Sequence, residues 1–428
     1  MDNKQIEKLR LVTGHVLIVG IDVSKRRHVA RFFDSNGFEL RKSVKFYNDR
    51  AGLLDFHSKV DALVRQHGFE RAIIGMESSG HYWEPLAYLF RDYQLEQVFV
   101  NSYHVKCRKE MEDNSPDKND YKDAKLVAKL VKDGYFFNMH LPEGVYRELR
   151  NLTYERYQQR KKMNNAQNRL IALLDRCFPE YELVFKNLLG QTSISILKSC
   201  PFPDDVSRLT MAELTEKIKA ASNNRLGQKK AEALKQAADV SIGVKEGLDS
   251  SRYRLESCLE EIEFHQKQMQ ATEKQMAKQL EKTGYKSNLL SIPGVGIITA
   301  ARFLGEIGDP SRFDHPGEII KLAGFNLKGN ISGKKQESAT KITKRGRSEL
   351  RNLLYQAALI SVARNPQLRM IYHYLKNRPN NQLKSKQALV AIANKLVRIM
   401  FGLMRKDELY NPDLVLGEIR EAQLGLVA

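Results

Sequence analysis

Four acids in the first third of the chain have the types and surroundings that metal-assisted phosphoryl transfer requires. Asp22 interrupts Val16 to Val23 (VLIVGIDV), an otherwise apolar run rich in β-branched residues. Glu77 closes a second apolar run in Gly75-Met-Glu-Ser-Ser-Gly80. Asp120 and Asp123 stand three positions apart at the end of Asn114-Ser-Pro-Asp-Lys-Asn-Asp-Tyr-Lys-Asp123. That spacing puts two side chains on one helix face, and in a first turn the helix dipole favours negative charge. Carboxylate oxygens are hard ligands, so four of them at one point suit one or two Mg2+ or Mn2+ ions with positions left for phosphate and water.

Each acid also has a plainer explanation. Glu77 can be a surface acid at a strand end, Asp120 a helix N-cap and Asp123 a solvated first-turn residue. Asp22 fits such an account least, because a charge inside an apolar strand is costly unless it is paired or ligating. Their joint occurrence at strand ends and a helix start favours the metal reading. Asp113 and Asp117 read as solvated loop charges.

The elements that must position these acids are legible from periodicity. Val16 to Val23 reads as a central strand, and Arg27 to Asp34 and Glu39 to Tyr47 follow as alternating segments around the turn Ser35-Asn36-Gly37. Leu53, Leu54, Val60 and Leu63 space a helix over 51–67. Then come a strand over 71–76, a helix over 83–93, a strand over 97–100 and helical segments up to 133. Three antiparallel strands followed by alternating helices and strands make a mixed sheet with helices on its faces. With the first and fourth strands adjacent, their ends and the start of a packed helix converge.

Beyond residue 141 the strand signal disappears. Positions 145, 149, 152, 156, 159, 163, 166, 170 and 173 step by four and three, as do Leu255, Leu259, Ile262, Gln266, Met269, Glu273, Met276 and Leu280. Such heptads predict two long coiled-coil helices that pair with each other or with another chain. Between them, 178–240 reads as a small helical insertion. A third region opens with Ser291-Ile-Pro-Gly-Val-Gly296 and a helix over 298–307. Gly294 and Gly296 form a turn that either starts a helix or exposes N–H groups to a phosphate, as helix-hairpin-helix elements do. The span 328–351 carries eight lysines and arginines against Glu337 and Glu349, in a loop that runs into a helix over 347–364; a last helix covers 387–403. The fold class expected is therefore α/β plus all-α, with domains over 1–140, 141–285 and 286–428.

Charge and composition narrow the partners. The 428 residues hold 70 Lys and Arg against 51 Asp and Glu, a net charge of +19, which points to nucleic acid first and an anionic membrane second. No apolar run approaches the roughly 20 residues of a membrane span, and the first ten residues are too polar for a signal peptide, so a cytosolic, nucleoid-associated protein is expected. Cys107, Cys177, Cys200 and Cys258 form no Cys-x-x-Cys pair, which argues against a zinc site or a disulfide framework.

These segments resemble a family. Val19-Gly-Ile-Asp-Val-Ser-Lys25, Met76-Glu-Ser-Ser-Gly-His-Tyr-Trp83, Val100-Asn-Ser-Tyr-His-Val-Lys106 and Lys118-Asn-Asp-Tyr-Lys-Asp-Ala124 resemble the RNase H/RuvC-like DEDD domain of insertion-sequence transposases of the IS one-ten and IS eleven-eleven group, relatives of the Piv DNA invertase. Ile292-Pro-Gly-Val-Gly296, the span 313–324, Ile331-Ser-Gly333 and Lys341-Ile-Thr-Lys-Arg-Gly346 with Leu350-Arg351 resemble that group's C-terminal transposase domain. The resemblance implies a recombinase in which the acids hold Mg2+ and Ser332, rather than Ser338, is the nucleophile that links covalently to DNA. Without it, Ser332 is a polar turn residue. It further implies phosphate contacts from Lys334, Lys335, Lys344, Arg345 and Arg347, a homo-oligomer (dimer or tetramer), and a structured noncoding guide RNA. Two alternatives from the residues themselves are a metal-dependent endonuclease of the Holliday-junction kind, using water as nucleophile, and a non-catalytic nucleic-acid-binding scaffold.

Overall fold

Val16 to Asp22 is apolar on both sides because both sides are covered. In the computed structural model, which describes residues 3–77, 80–112, 120–138, 140–327, 331–332, 335–336 and 341–416, this run is β1 (Val16–Asp22). After an N-terminal helix α1 (Asn3–Val12), the chain forms β1, β2 (Arg27–Phe33), β3 (Glu39–Tyr47), α2 (Arg50–His67), β4 (Arg71–Glu77), α3 (Trp83–Asp92), β5 (Glu96–Val100), α4 (Ser102–Glu112), α5 (Asp120–Lys132) and β6 (Phe136–Asn138). The six strands lie in the order β3-β2-β1-β4-β5-β6. β1 pairs in parallel with β4, and β4 with β5; the other pairs are antiparallel. The short β6 is an element that periodicity did not reveal, since three residues are too few to show one.

Side chains alternate between two cores, as the pleat requires. Leu17, Val19 and Ile21 face one that includes Phe56 of α2 and Phe90 of α3. Val16 and Ile18 face the other, with Val105 of α4 and Val127, Ala128 and Val131 of α5. Asp49 starts α2, its Oδ1 accepting from Gly52 N at 2.7 Å, so the turn out of β3 fixes where that helix begins.

The chain divides into two compact units, Met1–Leu141 and Pro142–Ala428. Among the described residues, the second is helical apart from one two-stranded ladder and an isolated bridge. Its order is α6 (Gly144–Cys177), α7 (Tyr181–Val184), α8 (Gln191–Ser199), α9 (Pro203–Arg208), α10 (Met211–Ser222), α11 (Gln228–Asp239), α12 (Leu248–Glu281), α13 (Lys286–Leu290), α14 (Ile297–Ile307), α15 (Pro316–Leu322), β7 (Ile331–Ser332), β8 (Lys335–Gln336), α16 (Ser348–Arg364), α17 (Pro366–Asn377), α18 (Ser385–Lys406) and α19 (Asp413–Leu416), with a 3-10 turn over Pro310–Arg312.

The long helices α6 and α12 pair with each other, antiparallel, as the contacts Arg156 to Glu273, Gln159 to His265 and Arg169 to Glu261 show. At one end their apolar residues join a core with α7 to α11, through Leu170, Leu173, Leu255 and Leu259. At the other, Leu149, Met276 and Leu280 join the core of the remaining helices. Gln159 and His265, both buried, lie between, with Oε1 and Nδ1 2.6 Å apart. The seam passes through His265 where the heptad count predicted Gln266, which is exposed. The buried hydrogen bond accounts for the difference, because a polar pair inside a seam must satisfy itself.

The 22 residues of α18 are long and apolar enough on average to cross a bilayer, although Lys395 and Arg398 interrupt the run. Here Ala388, Leu389, Ile392, Leu396 and Met400 are instead spent on the core of the second unit.

Candidate active site

The parallel register brings two of the four acids side by side. Gly20 pairs with Gly75 and Ile21 with Met76, so the next position on each strand is Asp22 and Glu77. Paired positions on neighbouring parallel strands share a face and lie about 4.8 Å apart across the sheet. That face is the α5 side, since Gly20 and Gly75, two residues earlier, both meet α5. Both acids are half-buried. They end the strands where the sheet order turns, with β2 on one side of β1 and β4 on the other, and the carboxyl ends of strands at such a point are where open α/β sheets bind ligands.

The approach of α5 depends on those two glycines. A Cβ at Gly20 would overlap the Ala124 carbonyl oxygen and the Ala128 nitrogen, and would lie 2.8 Å from the Ala128 Cβ. One at Gly75 would overlap a Val131 methyl and lie 3.2 Å from Val127 Cγ1. Asp120, whose side chain is outside the described residues, is the first residue of α5, one turn ahead of Ala124. Asp123 is 19% exposed and accepts from Lys109 Nζ of α4 at 2.8 Å. The sequence carried no signal for Lys109, because it reaches Asp123 only through the packing of α4 on α5.

As a donor set, carboxylates alone suit a hard divalent cation. Asp22 and Glu77 share one sheet face, while Asp123 is engaged by the Lys109 ammonium. Among the described residues, no three of the His, Cys, Asp and Glu side chains gather closely enough to hold a metal together.

In the second unit, Ser332 and Lys335 are register partners on β7 and β8. Lys334 and Ser338 lie outside the described residues, as do the side chains of Ser332 and Lys335. The base of this hairpin is clamped. Leu327 bridges Ile342, Thr343 N donates to Asn326 O at 2.7 Å, and Lys344 N donates to Gly324 O at 3.0 Å. Arg351 Nη1 donates to Ala323 O at 3.1 Å and Lys344 O at 3.3 Å.

Lys344 and Arg345 are exposed. Arg347 turns inward: its guanidinium bonds the Glu306 carbonyl oxygen and lies 3.8 Å from the Glu306 carboxylate. Burial, with Arg150 nearby, brings its pKa down to about 10. Burial pushes the Glu306 carboxyl up, against the pull of Arg347 and Arg150.

Gly294 holds φ at 98°, and a Cβ there would meet Ser361 Cα of α16 at 2.9 Å. Steric need at the turn therefore explains this glycine. Gly296 is open and precedes α14, whose start has no side-chain cap.

Compared with known proteins, residues 19–179 match a family described as Transposase, and residues 286–373 match the Transposase IS116/IS110/IS902 family. The chain is 24% identical over 404 residues to the insertion element IS116 uncharacterized 44.8 kDa protein of Streptomyces clavuligerus, covering 92% of this chain and 96% of that one. It is 25% identical over 352 residues to the mini-circle putative transposase for IS117 of Streptomyces coelicolor, covering 77% and 80%. A pilin gene-inverting protein of Moraxella lacunata is 30% identical over 125 residues, 29% of this chain and 38% of that protein. The first match spans the strands, glycines and acids just described, and the second spans α14 and the clamped hairpin: the chain belongs to the transposase family of the IS110, IS116 and IS902 insertion elements, enzymes that cleave and join DNA.

Proposed function

We propose that this transposase excises and inserts its element by strand exchange, with Ser332 as the attacking hydroxyl and Asp22, Glu77, Asp120 and Asp123 as the holders of Mg2+ or Mn2+. The observation that carries this reading is the in-register placement of Asp22 and Glu77 on the α5 face of an RNase H/RuvC-like sheet. When bound, the ion supplies Lewis acidity, which favours the deprotonated hydroxyl and offsets charge on the phosphate.

The remaining work falls to the chain's own groups. A serine hydroxyl is a weak nucleophile at neutral pH and needs activation, and no histidine stands between His315 and His373 to supply it. Attack by Ser332 Oγ forms a phosphoserine bond and breaks the bond from phosphorus to a deoxyribose oxygen, which leaves as a hydroxyl carrying the proton that the serine gives up. Joining is the reverse, with a hydroxyl of a second DNA strand displacing the serine.

Lys334, Lys335, Lys344 and Arg345 hold phosphates around that bond. Arg347 contributes by fixing the hairpin base. The Gly294 to Gly296 turn offers uncapped N–H groups of α14 to a further phosphate. Exchange requires several strands to be cut together, so the enzyme works as a dimer or tetramer. Its contact between copies uses surfaces other than the α6 and α12 seam, which is occupied within the chain. A structured noncoding RNA guides the choice of DNA, a partner compatible with the net charge of +19.

The test is incubation of the chain with Mg2+ and DNA carrying the element's junction, followed by a denaturing gel. A protein-DNA adduct lost in both Ser332→Ala and Asp22→Ala is the expected result. Cleavage that survives Ser332→Ala replaces this reading with an endonuclease that uses water. No metal-dependent cleavage or joining, with nucleic acid still bound, leaves a scaffold. Sequencing of copurified RNA tests the guide: random fragments, or none, remove it.

A further inference from the structure

We infer that the outer part of the α5 face, on β2 and β3, is a binding track for single-stranded nucleic acid, gripped by two cation-aromatic pairs. Ala30 and Phe32 of β2, and Val44 and Phe46 of β3, point into the α2-side core. The alternate residues Arg27, Arg31, Lys45 and Tyr47 therefore lie on the opposite face, beside the start of α5. The register places Asp22 across from Val29, Val29 across from Lys45, and Arg27 across from Tyr47. Lys45 is thus in the same row as Asp22, two strands out, and the Arg27 and Tyr47 row lies one step further along.

Each row ends in an aromatic ring with a cation over it. Arg27 lies 4.8 Å from the Tyr47 ring centroid and donates to its hydroxyl at 2.6 Å. Lys45 Nζ lies 4.9 Å from the centroid of Tyr121, in the first turn of α5. Arg31 donates to the Tyr121 carbonyl at 3.4 Å, holding that turn against the sheet. Tyr47 is 52% exposed and Tyr121 36%. Both rings are therefore reachable from solvent, each with a cation beside it, the combination that a stacking site for bases uses.

Charge complementarity identifies the occupant. Residues 24–47 hold seven lysines and arginines against Asp34 and Glu39. Glu39 is already matched by Arg31, and Asp34 accepts from the Phe38 backbone nitrogen. The excess is positive, and the ligand is an anion spread over several charges. Flat rings interleaved with cations are how sequence-tolerant sites hold unpaired strands, the bases stacking while the cations follow the phosphates. A duplex hides its base faces, and an anionic membrane is typically bound by an amphipathic helix with a broad apolar face, which two tyrosines beside a sheet do not make. Neither Ser332 nor a metal enters this inference, so binding is measured without divalent ions.

The experiment uses the full chain and fluorescent oligothymidylate and oligouridylate of about 15 nucleotides, a duplex of equal length, and anionic vesicles. Stacking on one ring is worth about 5- to 150-fold in affinity. Tyr47→Ala and Tyr121→Ala are each expected to weaken single-strand binding by at least about fivefold, while Tyr47→Phe and Tyr121→Phe restore it. Duplex binding stays within about twofold, since it lacks that stacking term. Arg27→Gln and Lys45→Gln each lower the slope of log affinity against log salt by about 0.7. A loss on either oligonucleotide supports the track, and the larger loss tells DNA from RNA. Unchanged single-strand affinity in both alanine variants overturns it, as does an equal loss on the duplex or a loss confined to vesicles.

Discussion

Gly20 of β1 and Gly75 of β4 are register partners, and α5 rests on both. The overlaps that a Cβ would create differ in kind. At Gly20 they are with α5 backbone, which cannot move without the helix; at Gly75 the worst is a Val131 methyl, a side-chain atom that can yield without displacing the whole helix. Gly20→Ala is expected to destabilise the chain by about 1–3 kcal/mol, as overpacking does, and to abolish strand cleavage by displacing the acids. Gly75→Ala should cost less on both counts. Urea midpoints and junction cleavage check this, and equal costs would contradict the packing described.

The ammonium of Lys109 on Asp123 competes with any divalent cation for that carboxylate. Lys109→Gln should lower the Mg2+ concentration needed for half-maximal cleavage. Because the pair is partly exposed, at 28% and 19%, its loss should cost the metal-free protein no more than about 1 kcal/mol. A titration of cleavage against Mg2+ reads the effect, and an increased requirement would mean that Lys109 orients Asp123 instead.

His28 is fully buried in β2 beside Phe46, its ring centroid 5.0 Å away, and its Nδ1 accepts from Ser24 N at 3.2 Å. Burial lowers its pKa, partly opposed by Asn48. The unfolded chain therefore takes up the proton first, as pH falls below about 6.5. Stability from this group is complete above that value and declines as pH falls toward the lower folded pKa. Urea midpoints between pH 5 and 7.5 should fall on acidification in the native chain, and less steeply in His28→Phe.

Removing one partner of the Gln159 and His265 pair leaves a buried polar group unsatisfied. Gln159→Leu or His265→Leu should each cost about 1–3 kcal/mol, whereas the double substitution should be close to neutral. A double-mutant cycle in urea measures the coupling, and additive losses would show that the two side chains act independently.

Among the basic residues of the hairpin, position separates two roles. Lys344→Gln and Arg345→Gln, at exposed sites, should each reduce the salt slope of DNA binding by about 1 and leave stability unchanged. Arg347→Gln should destabilise by about 1–3 kcal/mol, because it removes the cation facing the half-buried Glu306. Thermal melts alongside filter binding distinguish the two outcomes.

The fold of the first unit was largely readable, because a strand buried on both faces is continuously apolar and the Ser35-Asn36-Gly37 turn marks a hairpin. Asp22 was readable as a misplaced charge. What the sequence concealed are relations across the packing. Gly20 and Gly75 look like ordinary strand glycines until the register pairs them beneath one helix. Lys109 cannot be linked to Asp123, fourteen residues away, without knowing how α4 lies on α5. In the second unit, the run of cations at 328–351 gave no sign that Arg347 is turned inward, because charge patterning does not report depth. The heptads marked α6 and α12 as long helices but left open whether they pair with each other or with another chain, and they slipped at His265, where a polar seam position looks like a surface one.

The 34-residue helices α6 and α12 each enter two apolar cores, with hydrogen-bonding side chains between them. Amide exchange along either helix should therefore keep two clocks. Turns near Leu170 and Leu259 should open at the pace of the insertion, and those near Leu149 and Leu280 at the pace of the part that carries the Ser332 hairpin. The boundary between the two rates should fall around Gln159 and His265, so that the insertion can breathe, or be clipped by a protease, while the serine-bearing part stays closed.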